Sequence, residues 1–77
     1  MEVLSPMPGI FYRRPSPEAA CYVEIGQSVQ EGDVLGLIEV MKQYSELTAD
    51  TSGVIEAILV EDGDAVEAGQ PIVVIRA

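Results

Sequence analysis

The sequence contains no histidine and no tryptophan, and only one cysteine, Cys21, one phenylalanine, Phe11, and one lysine, Lys42. Without imidazole there is no Ser–His or Cys–His nucleophile and no His-ligated metal site. A single cysteine excludes an internal disulfide, and Cys21 reads as a small buried apolar residue. No apolar run approaches the roughly 20 residues of a membrane-spanning helix. Positive charge is also scarce: 4 Lys and Arg against 13 Asp and Glu give a net charge of −9. This argues against nucleic acid, whose phosphates require Lys and Arg, and against anionic membrane surfaces. The acidity suits solubility of a small β domain at least as well as steering toward a basic partner surface. A chain of 77 residues is one domain, residues 1–77. Such a domain buries only about 60% of its unfolded surface, too little to enclose a deep pocket, so a self-sufficient enzyme is not expected. Met1–Pro6 lacks the basic start and long apolar stretch of a secretory signal. The expected location is the cytoplasm, or a plastid if the segment is cut from a longer precursor.

What the chain does have is an internal repeat. Val23-Glu24-Ile25-Gly26-Gln27-Ser28-Val29-Gln30-Glu31-Gly32 returns, at an offset of 37, as Val60-Glu61-Asp62-Gly63-Asp64-Ala65-Val66-Glu67-Ala68-Gly69. The register continues through Leu35 with Ile72, Leu37 with Val74 and Ile38 with Ile75. Repetition at a fixed offset marks a duplicated structural unit. Val34–Val40, Val54–Val60 and Ile72–Ile75 read as strands, and Leu47 and Ala49 alternate as one buried strand face requires. Turn residues fall between the runs at Glu31-Gly32-Asp33, Asp50-Thr51-Ser52-Gly53, Asp62-Gly63-Asp64 and Ala68-Gly69-Gln70-Pro71. Asp62-Gly63-Asp64 lacks the spaced ligands of a calcium loop and reads as a repeat-related turn. No helical periodicity persists. Two β halves that each expose an apolar face bury one another, which predicts an all-β, two-sheet sandwich with quasi-twofold symmetry.

The halves differ in one place. Gly9 to Gly26 spans 17 positions whereas Gly53 to Gly63 spans 10, so the first half carries 7 extra residues around Phe11-Tyr12-Arg13-Arg14-Pro15-Ser16-Pro17-Glu18. Prolines stiffen this segment and aromatics give it contact area, as a binding element requires. A neutral surface insertion accounts for it equally well.

Lys42 follows the first repeat, within Ile38-Glu39-Val40-Met41-Lys42-Gln43-Tyr44. It sits between two strands and is expected near a hairpin tip. The usual Asn-Gly turn is absent, so a Met-Lys turn demands positive φ of two bulky residues, a strain tolerated chiefly where function needs the geometry. A solvated surface lysine is the ordinary reading; its being the sole amine side chain favours an attachment point.

The chain resembles a biotinyl domain, the biotin carboxyl carrier of acetyl-CoA carboxylase and related enzymes in the biotin/lipoyl attachment family. That family marks its modified lysine with Glu-Ala-Met-Lys-Met, and this chain has Glu39-Val40-Met41-Lys42-Gln43. Ser5-Pro6-Met7-Pro8-Gly9 resembles the family's opening turn, and Phe11 to Glu18 resembles the thumb of the bacterial and plastid carriers. The resemblance implies a flattened β-barrel or sandwich of two four-stranded antiparallel sheets, a barrel-sandwich hybrid, with Lys42 on a protruding hairpin and a thumb at about residues 11–18. It implies covalent biotin on Lys42, attached by a biotin protein ligase, with Glu39, Val40, Met41 and Gln43 around it. It also implies a non-catalytic carrier that visits biotin carboxylase and then a carboxyltransferase, converting acetyl-CoA to malonyl-CoA for fatty acid synthesis. Val40 and Gln43 depart from the family's Ala and Met. Two alternatives stay open: a lipoyl carrier, disfavoured by Met41 and the thumb, and an unmodified β interaction module.

Overall fold

The three apolar runs each supply the body of a strand, Leu47 lies in a fourth that ends at Thr48, one residue short of the buried Ala49, and four strands of two to four residues complete the sheets. The computed structural model describes residues 1–16 and 18–77. Its strands are β1 (Glu2–Leu4), β2 (Gly9–Tyr12), β3 (Ser28–Val29), β4 (Val34–Val40), β5 (Gln43–Thr48), β6 (Gly53–Ile58), β7 (Ala65–Val66) and β8 (Pro71–Arg76). They form two four-stranded sheets, ordered β1-β8-β6-β3 and β5-β4-β2-β7. All neighbours are antiparallel. The all-β sandwich of two four-stranded sheets is the architecture that the repeat and the resemblance led us to expect, and no described residue is helical.

A quasi-twofold axis exchanges the sheets, sending β1, β8, β6 and β3 onto β5, β4, β2 and β7. The register obeys it: Ser28 faces Val54 and Val29 faces Gly53, as Ala65 faces Ile10 and Val66 faces Gly9. Even the irregularities recur. Leu4 opposite Pro71 and Val3 opposite Val73 bracket a bulge, as do Thr48 opposite Val34 and Leu47 opposite Gly36. The repeat turns hold the halves together. Gly26 and Gly63 take φ of 92° and 89°, which only glycine adopts without strain. Their amides donate across to Ile55 O and Phe11 O at 2.8 and 2.7 Å, so each half's turn is stitched to the other half's strand. Gln27 and Asp64 close these turns by accepting from the amides of Glu24 and Glu61 at 3.1 and 2.9 Å.

The core lies between the sheets. Phe11, Leu35, Ile38, Leu47 and Val66 come from one sheet, and Val3, Val29, Ile55, Ile72, Val73 and Ile75 from the other. Each fully buried Leu or Ile stabilises the fold by about 1.5–3 kcal/mol.

The symmetry fails at Tyr12. Strand β6 passes a bulge between Ile55 and Ala57 and runs on to Ile58, whereas β2 stops at Tyr12 and gives way to the inserted loop. This corrects the expected extent of the insertion. Phe11, assigned to the loop from its sequence neighbours, lies in β2 and is 1% exposed. The reason is packing: Gly36 stands where the other half has Val73, and a Cβ there would lie 2.5 Å from Phe11 Cε1. The ring fills the space that glycine leaves. Tyr12 is also a strand residue, half-buried at the loop's root. Pro17 lies outside the described residues.

Candidate attachment site

Strands β4 and β5 are joined by two residues. Val40 pairs with Gln43, and between them Met41 and Lys42 take φ of 51° and 65°. Positive φ at both central residues is the signature of a type I′ turn, whose twist matches the flanking strands. For side chains as large as these the left-handed conformation costs about 1–2 kcal/mol per residue. Long flanking strands impose it: β4 and β5 are paired from Val34 to the turn, so the hairpin has no slack to adopt another connection. The turn lifts both side chains away from the sandwich. Met41 is 90% exposed, and Lys42 and Gln43 are exposed beside it.

Val40 points the other way. It is half-buried and packs against the core, and a Cβ on Gly9 would sit 2.9 Å from its Cγ2. Its bulk is absorbed beneath the hairpin by the missing side chain of Gly9. Glu39, one residue earlier, stands opposite Ile10 on one side and Tyr44 on the other. Its Oε1 accepts a hydrogen bond from the Tyr12 hydroxyl at 3.1 Å. The rings of Tyr12 and Tyr44 lie with centroids 6.4 Å apart at 52°, a tilted aromatic pair. The hydrogen bond to Glu39 raises the Tyr12 hydroxyl above its ordinary pKa of 10.0, and partial desolvation and the Glu39 charge act in the same direction.

The loop after Tyr12 is anchored at its first residue. The Arg13 amide donates to Asp62 Oδ1 at 2.7 Å, the Tyr22 amide donates to Arg13 O at 2.8 Å, and Arg13 Nη2 reaches Val23 O at 3.3 Å and Glu24 Oε1 at 3.2 Å. Glu24 is exposed, so this ion pair fixes geometry more than it adds stability. Within the loop the Ala19 amide donates to Ser16 O at 3.1 Å, and Glu18 is exposed. Cys21 is half-buried rather than a core residue.

Between loop and sheet runs a groove of about 460 Å³. Tyr12, Leu37 and Tyr44 of the sheet line it, with Arg14, Pro15 and Ser16 of the loop and Asp62 of the turn after β6. The structure thus brings Tyr12, Arg14, Pro15 and Ser16 together with the strand that follows Lys42, and places Phe11 elsewhere. Leu37, Tyr44 and Asp62 escaped the sequence reading. An outward apolar residue between Gly36 and Ile38 was a usable sign of a covered face. Nothing distinguished Asp62 from an ordinary turn residue. Chemically, the site offers an exposed primary amine on a strained, outward turn beside a groove with aromatic and cationic walls. Such an amine is suited to acylation by an incoming partner.

The family model described as "Biotin-requiring enzyme" matches residues 1–75. The chain is 55% identical over 74 residues to the biotin carboxyl carrier protein of acetyl-CoA carboxylase from Haemophilus influenzae, covering 96% of this chain and 48% of that protein. It is 53% identical over 70 residues to the protein of the same name from Pseudomonas aeruginosa, covering 91% and 45%. The chain therefore spans about half the length of these relatives. Among solved structures, the Kluyveromyces lactis urea carboxylase superposes with a TM-score of 0.80 at 32% identity, over 99% of this chain and 6% of that one. With the family model reaching from Met1 to Ile75, the chain belongs to the family of biotin-requiring enzymes.

Proposed function

We propose that the chain is the carrier domain of a biotin-dependent carboxylase, with biotin joined through an amide to Lys42 Nζ. The observation that carries this reading is the hairpin: the chain's one lysine occupies the second position of a type I′ turn, at φ 65° and exposed, where an Asn-Gly pair would be less strained. The residues fit the group. The amine is accessible to a ligase, and the adjacent groove of about 460 Å³ lies in the size range of small-molecule sites, about 300–1,000 Å³. When attached, biotin supplies the ureido nitrogen that takes up and gives back a carboxyl group.

The protein's own residues do the remaining work. Met41 presents a soft apolar contact to a biotin protein ligase. Glu39, held by Tyr12, orients the hairpin. The loop residues Arg13 to Glu18 act as a thumb beside the arm. Tethering replaces a bimolecular encounter with a local one at raised effective concentration at each partner site. The partners are the ligase, a biotin carboxylase and a carboxyltransferase, with acetyl-CoA as acceptor, in keeping with the names of the relatives. The domain itself is a non-catalytic carrier. Lipoate is disfavoured by Met41 and by the inserted loop.

The test is reconstitution. After ligase treatment, biotin carboxylase with ATP and labelled bicarbonate should place label on the protein, and addition of a carboxyltransferase and acetyl-CoA should move it to the thioester. The label should be absent from Lys42→Arg. Label bound equally by Lys42→Arg would contradict the assignment.

A further inference from the structure

Strands β1 and β5 each end a sheet: β1 pairs only with β8, and β5 only with β4. Their open sides meet across a second groove, of about 370 Å³. Its lining obeys the internal symmetry. Glu2 with Glu46, Val3 with Leu47 and Leu4 with Thr48 stand in it as pairs, at the sequence offset that also relates Gly9 to Gly53. The groove therefore lies across the quasi-twofold axis. Val3 and Leu47 are buried and make its floor, and the other four residues are exposed.

The groove offers unpaired backbone groups. Hydrogen-bonded and non-hydrogen-bonded pairs alternate along an antiparallel ladder. Counted from Val40 and Gln43, which close the two-residue turn, Tyr44, Glu46 and Thr48 fall at non-bonded places and turn their N–H and C=O to the open side. Glu2 does the same on β1, because Met1 and Ile75 exchange both bonds beside it at 2.7 Å. The groove also offers charge. The carboxylate of Glu2 lies on the β1 side, and those of Glu46 and Asp50 on the β5 side. No described residue hydrogen-bonds or ion-pairs with these three side chains. An open strand edge beside an apolar floor is a template for another strand, and carboxylates on both sides select one that carries positive charge.

We propose that this groove takes an extended segment of a partner protein, one that alternates Lys or Arg with apolar residues, by strand addition to β5. The segment's apolar side chains lie over Val3 and Leu47, and its basic ones stand beside Glu46 and Glu2. A second copy of this chain does not fit, since each copy brings a net charge of −9. Glu46 is four residues beyond Lys42, about 13 Å along the strand, so a partner held here leaves the hairpin tip free to enter that partner's active site. This use of the contact rests on the carrier reading, whereas the contact itself does not.

The test is an NMR titration of the whole domain, at low ionic strength, with a short peptide alternating Lys with Val. The amide resonances of Tyr44, Glu46 and Thr48 should shift and their exchange with solvent should slow, while Met41 and Lys42 stay in place. The same peptide methylated on its backbone nitrogens keeps its charge but cannot pair, and should bind several-fold more weakly. Glu46→Lys, an exposed substitution that spares the core, should also weaken binding several-fold. Biotinylated and unmodified protein should bind alike. Equal binding of the methylated peptide would show charge attraction alone and overturn the inference. Shifts that leave β5 untouched, or no binding by the folded domain, would overturn it too. Each of these results leaves biotin at Lys42 standing, which intact mass decides separately.

Discussion

The Tyr12 hydroxyl donates to Glu39 Oε1 at 3.1 Å, joining the root of the inserted loop to the root of the lysine hairpin. Tyr12 is the last residue of β2, and Glu39 stands three before Lys42 in the neighbouring β4. One hydrogen bond thus links the inserted loop to the hairpin that carries Lys42. Removing it in Tyr12→Phe should leave the sandwich folded, because the core is untouched. Amide exchange at Met41, Lys42 and Gln43 should become faster. Unchanged exchange there would show that the strands alone hold the hairpin.

The same contact has a pH signature. Glu39 raises the Tyr12 hydroxyl above 10.0, so the folded protein holds this proton more tightly than the unfolded chain does. Its contribution to stability is complete below the ordinary tyrosine value and is lost as pH rises through the higher folded value. In an alkaline titration followed by tyrosinate absorbance, Tyr12→Phe should remove a component that ionises above 10.0. Glu39→Gln should bring it down toward 10.0. A late component that persists in Tyr12→Phe would place the shift on another tyrosine.

Met41 and Lys42 both hold positive φ in the hairpin turn, and the strain is measurable. Replacing Met41-Lys42 by Asn-Gly supplies residues that accept positive φ at both positions. Denaturant unfolding should show stabilisation of about 1–3 kcal/mol, with loss of the proposed attachment point. No gain in stability would mean that the turn carries no local strain.

In the core, Phe11 and Gly36 form a complementary pair where the other half uses Ile55 and Val73. Gly36→Ala should be destabilising, because the new Cβ meets Phe11 Cε1 at 2.5 Å and Tyr12 O at 2.7 Å. Adding Phe11→Ile should recover part of the loss but not all of it, since the carbonyl contact remains. Purely additive effects in the double-mutant cycle would refute the pairing.

These residues also show what the sequence made legible. The repeat of Gly26 with Gly63 and Gly32 with Gly69 disclosed the symmetry, because a turn that needs positive φ tolerates little else. The long strands were readable from Val34–Val40 and Ile72–Ile75. Strands β3 and β7, two residues each, carry no periodicity and exist only through their pairing with β6 and β2. Phe11 was misplaced because charged and proline residues follow it, while its packing partner Gly36 lies 25 positions away. Lys42 was legible as a candidate from composition alone. Leu37, Tyr44 and Asp62 join the groove only through tertiary contacts.

The loop depends on Asp62. Asp62→Ala removes the acceptor for the Arg13 amide, a loss of about 1 kcal/mol or less at this exposed site. Residues 13–22 should gain fast motion by NMR relaxation while the turn closed by Asp64 stays ordered. A loop as rigid as wild type would show that the Arg13 contacts to Val23 and Glu24 suffice.

The proposed carrier role requires Lys42 as the point of attachment, and intact mass after co-expression with a biotin protein ligase tests this directly. Wild-type protein should gain one biotinyl increment, and Lys42→Arg should gain none. Refusal of biotin by a folded wild-type domain that a lipoate ligase modifies, or an increment retained by Lys42→Arg, would contradict it.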